Sequence, residues 1–286
     1  VRSSAASDVY KRQTLTSENF GEVADKVVTR WNEDSLIWTL AADGTMTISG
    51  TGTMKDYYNE NSPATQKKDN VKKVVIQEGV TSIGDSAFSD CTGLESIEIP
   101  SGVKSIGDYA FFDCSNLTDI TIPESVTSIE ECAFQNCSSL TDITIPGSVT
   151  SIGEGAFQNC IGLTSISIPK SVTSIGNYAF SDCTSLTSIN IPEGVTSIGD
   201  SAFSGTLWLT NKRQENNSLV IVNGILIDGR TCSGKVTIPD GVTSIGYRAF
   251  QNCTGLTSIT IPKSVTSIGD SAFFECAELT SINIPE

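Results

Sequence analysis

Apolar positions recur along this chain with a fixed step of 23 residues. Phe88, Phe111, Phe134, Phe157, Phe180 and Phe203 follow it, and Phe250 and Phe273 resume it after one longer interval. Ile83, Ile106, Ile129, Ile152, Ile175 and Ile198 keep the same step, as do Ile245 and Ile268. Eight of the nine prolines share a further column: Pro100, Pro123, Pro146, Pro169, Pro192, Pro239, Pro262 and Pro285. Self-similarity at such a period marks a repeat array.

One unit, written from Leu117, reads LTDITIPESVTSIEECAFQNCSS. Its opening Leu117-x-x-Ile120-x-Ile122 ends in apolar–polar alternation, the period of a strand. Pro123 stops that strand because proline brings no N–H to a ladder. Val126 and Ile129 predict a second short extended segment, and Ala133, Phe134 and Cys137 are spaced for a helical turn. A single unit has too few apolar side chains to offset the entropy of ordering itself. Stacked neighbours must supply the remainder by lengthening one parallel sheet and one core. The expected fold is therefore a repeat solenoid, mainly β with short helical turns.

The strand L-x-x-I-x-I-P and the Phe-x-x-Cys closure resemble leucine-rich repeats, with Ile, Val and Cys in place of many leucines. More narrowly, IPxSVTSIGxxAFxxCxxLTSI is similar to the BspA-like class of bacterial leucine-rich repeats, over Val71 to Glu286. The resemblance implies a right-handed solenoid with a parallel sheet. It also implies a cell-surface or secreted protein concerned with adhesion and host contact.

Three departures from the repeat set the expected boundaries. Residues 1–13 match nothing downstream and read as a cloning or sequence-assembly scar. Residues 14–70 read as an N-terminal cap: Leu36, Trp38 and Leu40 alternate, Asp43-Gly44 makes a turn, and Met46 and Ile48 alternate again, a β-hairpin pattern. Such a cap would cover the apolar edge of the first unit, and it resembles the segment that precedes these repeats in the family. The array then occupies 71–286. Within it the step from Ile191 to Ile238 is 47 residues, and Thr206, Lys212 and Gln214 replace the cysteine and strand isoleucines. Leu219 to Val222 and Ile225 to Ile227 flank Asn223-Gly224, so a degenerate repeat carrying a hairpin that stays within the stack is expected at 207–235. Trp208 there has two readings, a plug for the defective repeat or an exposed binding anchor. Because a new unit opens at Ile284-Pro285-Glu286, the native protein is expected to continue into more repeats or a wall anchor.

Composition narrows the function classes. The chain has 33 acidic and 18 basic residues, a net charge of −15, which disfavours nucleic acid as partner. No stretch is apolar enough for a membrane span. Histidine is absent, which removes the commonest general base and zinc ligand. Seven of the nine cysteines share the column Cys91, Cys114, Cys137, Cys160, Cys183, Cys253 and Cys276, with Cys132 and Cys232 off it. No Cys-x-x-Cys pair exists, so buried free thiols are expected and not a zinc site. An acidic column, Asp85, Asp108, Glu131, Glu154, Asp200 and Asp270, reads as a solvated edge, since calcium needs six or more converging oxygens. No catalytic, cofactor-binding or metal-binding residues are expected.

The outward strand positions offer a face for a ligand: Glu98, Thr121, Thr144, Ser167, Asn190, Thr260 and Asn283, with Trp208 added as the anchor candidate. A second ladder of Thr-Ser pairs runs from Thr81 to Thr266. Threonine and serine also simply suit an exposed strand. The reading is a non-enzymatic, surface-exposed scaffold for a protein or cell-surface ligand. The alternative is a structural spacer that holds another domain away from the cell.

Overall fold

The structure is a computed structural model that describes residues 27–58, 61–215 and 218–284. The scar assigned to residues 1–13 lies outside the described residues, as does Pro285. The fold is a parallel-sheet β-solenoid of about nine turns with little helix.

The regular turns stack two columns of short strands. The first column follows L-x-x-I-x-I. Lys73–Ile76, Ser96–Glu98 and Asp119–Ile120 pair in parallel, as do Ser165–Ser167 with Ser188–Asn190. The second column is built from Ser-Ile steps: Ser128–Ile129, Ser151–Ile152, Ser174–Ile175 and Ser197–Ile198. Register is constant, with Ser151 opposite Ser174 and Ile152 opposite Ile175. A slip of one residue would turn every isoleucine outward, which pins the stacking.

The Ala-Phe-x-x-Cys corner forms turns, and its backbone bonds run between turns. Phe111 N–H donates to Ala133 O, Phe134 to Ala156 and Phe157 to Ala179, each at 2.8 Å. The residue two after each phenylalanine is left-handed: Asp90, Asp113, Asn136, Asn159 and Asp182 have φ between 57° and 64°. Asn and Asp tolerate that region better than other non-glycine residues, which explains why they dominate this column; Gly205 at φ 75° and Glu275 at φ 57° are its exceptions.

Inside, the phenylalanines form a file. Neighbouring rings from Phe88 to Phe203 are 5.2–5.8 Å apart between centroids and within 10° of parallel. Trp38 closes one end at 5.7 Å from Phe88, and Trp208 closes the other at 4.9 Å from Phe203. Trp38 comes from a three-stranded antiparallel meander, Val27–Glu33, Leu36–Ala41 and Thr45–Gly50, whose last strand pairs in parallel with Lys73–Ile76. The hairpin expected from Leu36 to Ile48 is present, and Val27–Glu33 adds an outer strand that its sequence did not announce.

The stack does not run unbroken to the end. After Phe203 the chain enters a helix, Leu207–Glu215, where the first strand column would continue. The polar run there was not expected to be helical. Its start is capped by Thr206, whose Oγ1 accepts the Leu209 N–H at 3.1 Å, and Leu, Lys, Arg, Gln and Glu favour the helix. The expected hairpin follows, Val220–Val222 with Ile225–Asp228, around Asn223 at φ 50° and Gly224 at φ 78°. Ile225–Asp228 then pairs in parallel with Ser244–Ile245 and opens a second stack. The buried apolar residues accordingly divide into two clusters, Leu36 to Val220 and Leu226 to Ala272. At the entry to the second, a Cβ on Gly229 would lie 2.3 Å from the Phe250 ring, so only glycine lets the backbone cross there.

Candidate ligand-contact surface

The outward positions of the first strand column alternate with buried isoleucines. Ile97, Ile143 and Ile166 are 4% exposed, while Glu98, Thr121, Thr144 and Ser167 are open to solvent. Asn190 and Asn283 are exposed as well, and Thr260 is half-buried. Thr144 lies in a segment, 141–146, with no strand pairing, although it keeps its place in the file of turns. One charged pair decorates this face, Lys73 Nζ to Glu98 Oε1 at 2.5 Å. From Glu98 to Asn190 the positions sit on successive turns, and the helix Leu207–Glu215 then separates them from Thr260 and Asn283.

Trp208 is not part of that face. It is 7% exposed, its ring lies against Phe203, and its backbone N–H donates to Leu186 O at 2.7 Å. The helix turns it inward because the phenylalanine file ends there and leaves apolar surface to cover. It is a plug, and the anchor role assigned to it is withdrawn.

The second ladder is tied into the scaffold. Thr150, Thr173 and Thr196 each donate their hydroxyl to the carbonyl of the threonine one turn earlier, at 3.3–3.5 Å. Ser148 and Ser171 donate to Val126 O and Val149 O at 2.5 and 2.6 Å. These hydroxyls are therefore already occupied by the stacking of turns.

The acidic column is also built into the stack. Asp85 Oδ1 accepts the backbone N–H of Asp108 at 2.9 Å, and Asp108 Oδ1 accepts that of Glu131 at 3.0 Å. Partial burial pushes both carboxyl groups above the ordinary aspartate value, against the lowering effect of those hydrogen bonds. Asp200 departs furthest from the solvated edge expected of it, being 5% exposed. It accepts from Tyr178 Oη at 3.1 Å and from Arg248 Nη1 at 3.3 Å, with Arg230 Nη2 at 3.6 Å. Arg230 Nε also reaches Asp228 Oδ1 at 3.5 Å. Arg213 grips Asp228 with two bonds, Nε to Oδ2 at 2.7 Å and Nη2 to Oδ1 at 3.0 Å. The result is a cluster of two buried carboxylates and three guanidinium groups spanning the break between stacks. Sequence reasoning missed Arg213, Asp228, Arg230 and Arg248, although all four sit in or next to the irregular repeat.

All nine cysteines are free thiols and all but Cys276 are buried. Along the column Cys114, Cys137, Cys160, Cys183 and Cys276 donate their S–H to a phenylalanine carbonyl 26 residues earlier, while Cys253 turns to Gly229 O and Cys232 O. Cys137, Cys160 and Cys183 reach Phe111, Phe134 and Phe157 at 3.0–3.2 Å. Burial raises every thiol, Cys183 and Cys232 to about 12. That is the opposite of a reactive cysteine. Among the described residues, no group of three or more Cys, Asp or Glu side chains is placed to hold a metal ion.

Two open grooves flank the helix. The smaller lies between Asn190, Trp208 and Asn223. The larger, about 760 Å³, separates Leu219 and Ile221 from the strand Ser233–Thr237.

Comparison with known proteins places these features in a family. The model of the BspA type leucine rich repeat region matches in six copies, over residues 62–163, 104–225 and 230–286. No curated protein matches. Among solved structures, a leucine rich cell surface protein from Faecalibacterium prausnitzii A2-165 is 32% identical, with a TM-score of 0.56, covering 90% of this chain and 76% of that one. A leucine-rich repeat protein from Eubacterium ventriosum is 25% identical, with a TM-score of 0.49, over 90% of this chain and 85% of that one. The pneumococcal vaccine antigen PcpA shares the fold at 19% identity and a TM-score of 0.51, over 91% of this chain and 71% of that one.

Proposed function

The chain belongs to the BspA-type leucine-rich repeat family, and from that premise we propose that it is a binding scaffold displayed at a bacterial cell surface, with a protein or other surface molecule as ligand. The observation that carries this reading is the row of outward polar side chains Glu98, Thr121, Thr144, Ser167 and Asn190. They are exposed on successive turns, with hydrophobic neighbours turned inward. Such a row offers many weak, evenly spaced contacts, which add through multivalency. Its sparse aromatic and arginine content suits avidity better than one tight anchor. Among the described residues no helix is long and apolar enough to cross a membrane. Residues 14–70 act in this reading as the cap, and 71–286 as the binding array, with 207–235 as its irregular unit.

The spacer reading is favoured by one observation. The Thr150, Thr173 and Thr196 hydroxyls are occupied by cross-turn bonds and so are less available to a ligand. Probing the protein against an array of matrix proteins and glycans separates the two. Binding that is lost when Thr121, Thr144 and Ser167 are changed together to lysine, with Tm unchanged, supports the scaffold reading. Silence across the array overturns it in favour of the spacer.

A further inference from the structure

Among the described residues the strand Ser233–Thr237 has only one neighbour. It pairs with Gly255–Thr260 and forms the outer edge of a three-stranded sheet. Ile238 N–H donates to Thr260 O at 3.0 Å, and Val236 is registered with Ile259. Backbone groups alternate sides along a strand, so Lys235 and Thr237 turn their N–H and C=O groups away from that neighbour. On that side lies the groove of about 760 Å³, bounded opposite by Leu219 and Ile221. Throughout the regular stack the corresponding space holds the strand of the preceding turn. Here the preceding unit has become the helix Leu207–Glu215 and the hairpin.

We propose that the Ser233–Thr237 edge accepts an extended acidic peptide of a partner protein as an added strand. Three observations define the occupant. Outward N–H and C=O groups at Lys235 and Thr237 offer a ladder that only an extended backbone matches. Leu219, Ile221 and Val236, half-buried on the groove walls, take apolar side chains at alternate positions. Lys235 is exposed and enters no ion pair among the described residues. It shares its repeat column with Lys73, which pairs across strands with Glu98. Lys73 shows that a lysine in this column reaches a carboxylate on a neighbouring strand, and an added strand would set a carboxylate beside Lys235 on its open side. The added strand would continue a sheet that already exists, so nothing in the fold must move. This site complements the outward row of side chains but does not depend on it, because recognition runs through the backbone.

The test uses the whole chain and a fluorescein-labelled hexapeptide, Thr-Val-Glu-Ile-Glu-Ile, followed by fluorescence anisotropy and amide hydrogen exchange. Binding is expected, with slowed exchange at Lys235 and Thr237. Lys235→Glu weakens it by about tenfold and favours a peptide with lysine in place of glutamate. Thr237→Pro removes one outward donor while leaving the ladder to Gly255–Thr260 intact, and lowers affinity by about tenfold. If that variant fails to fold, a hexapeptide N-methylated at its central residues makes the same break from the ligand side and must not bind. Absence of binding at about 1 mM peptide, the weak end of measurable affinity, overturns the proposal. So does equal binding to the Thr237→Pro or Lys235→Glu protein, which would place the peptide on another edge such as Ser281–Asn283. A ligand found on the matrix array whose binding survives Thr237→Pro, together with a silent hexapeptide, sinks the strand-addition site and leaves the scaffold reading standing.

Discussion

The turns from Phe88 to Phe203 and the segment from Thr206 to Asp228 hold neighbouring units together by opposite means. In the first, every turn makes the same contacts: a ring on a ring, a thiol on a carbonyl, a Ser-Ile step beside a Ser-Ile step. In the second, no strand ladder among the described residues crosses from one stack to the next. The join depends on side chains that occur once: Trp208 over Phe203, the Asn223 amide donating to Pro192 O and Val195 O at 2.8 and 2.9 Å, and the Asp200–Asp228 cluster with its three arginines. Repetition spreads stability over many equivalent interfaces. An interruption concentrates it on a few unique residues, and those residues are where single substitutions should uncouple the molecule.

The largest effect is expected in the middle of the regular stack. Phe157→Ala leaves a ring-sized gap between Phe134 and Phe180 and should cost about 3–5 kcal/mol, read from urea unfolding. The two stacks should still unfold together, because the join is untouched. Asp228→Ala should cost about 3 kcal/mol by leaving Arg213 without its buried carboxylate and Arg230 with Asp200 alone. Its signature is different: the unfolding curve should split into two steps, one for each core cluster. A single coincident transition in the Asp228→Ala protein would show that the cluster does not couple the stacks.

A smaller effect appears only in alkali. The Cys183 thiol is raised to about 12 by burial, whereas in the unfolded chain it ionises near its ordinary value. The unfolded state therefore loses that proton first as pH rises. The stabilisation is fully present below about pH 8.5, declines above it, and is exhausted once the folded thiol also ionises. Denaturant midpoints measured from pH 8 to 11 should fall, and Cys183→Ala should flatten the fall. A midpoint independent of pH in the native sequence would contradict the buried thiol file. The smallest effect belongs to the outer ladder: Thr150→Ala removes one exposed hydroxyl bond and should change stability by less than about 0.5 kcal/mol.

Much of the regular stack was legible in the chain itself. A column that holds only Phe predicts a ring file, and one that holds Cys without paired spacing predicts buried thiols. The Asn223-Gly224 turn announced its hairpin because only residues tolerant of positive φ fit there. What escaped was local and singular. The helix at Leu207–Glu215 left only a weak capping signal at Thr206, ahead of a polar run with no apolar periodicity to mark a helix. Asp200 looked like its column mates, and nothing in its own unit tells that Arg230 and Arg248 fold over it from 30 and 48 residues away. Among the surface residues, the alternation placed Glu98, Thr121, Thr144 and Ser167 outward correctly. Trp208 was ambiguous because an aromatic serves equally as anchor or plug until its neighbours are known.

Taken alone, the 23-residue pattern determined the solenoid, its register and the identity of its buried columns. Each turn repeats its neighbour's chemistry, and only one stacking keeps every isoleucine and phenylalanine dry. Tertiary structure alone decided that the irregular unit divides the array into two cores, which carboxylates are buried and which strand edge is left open. Those outcomes arise from contacts between residues far apart in the chain that occur once, so no period records them.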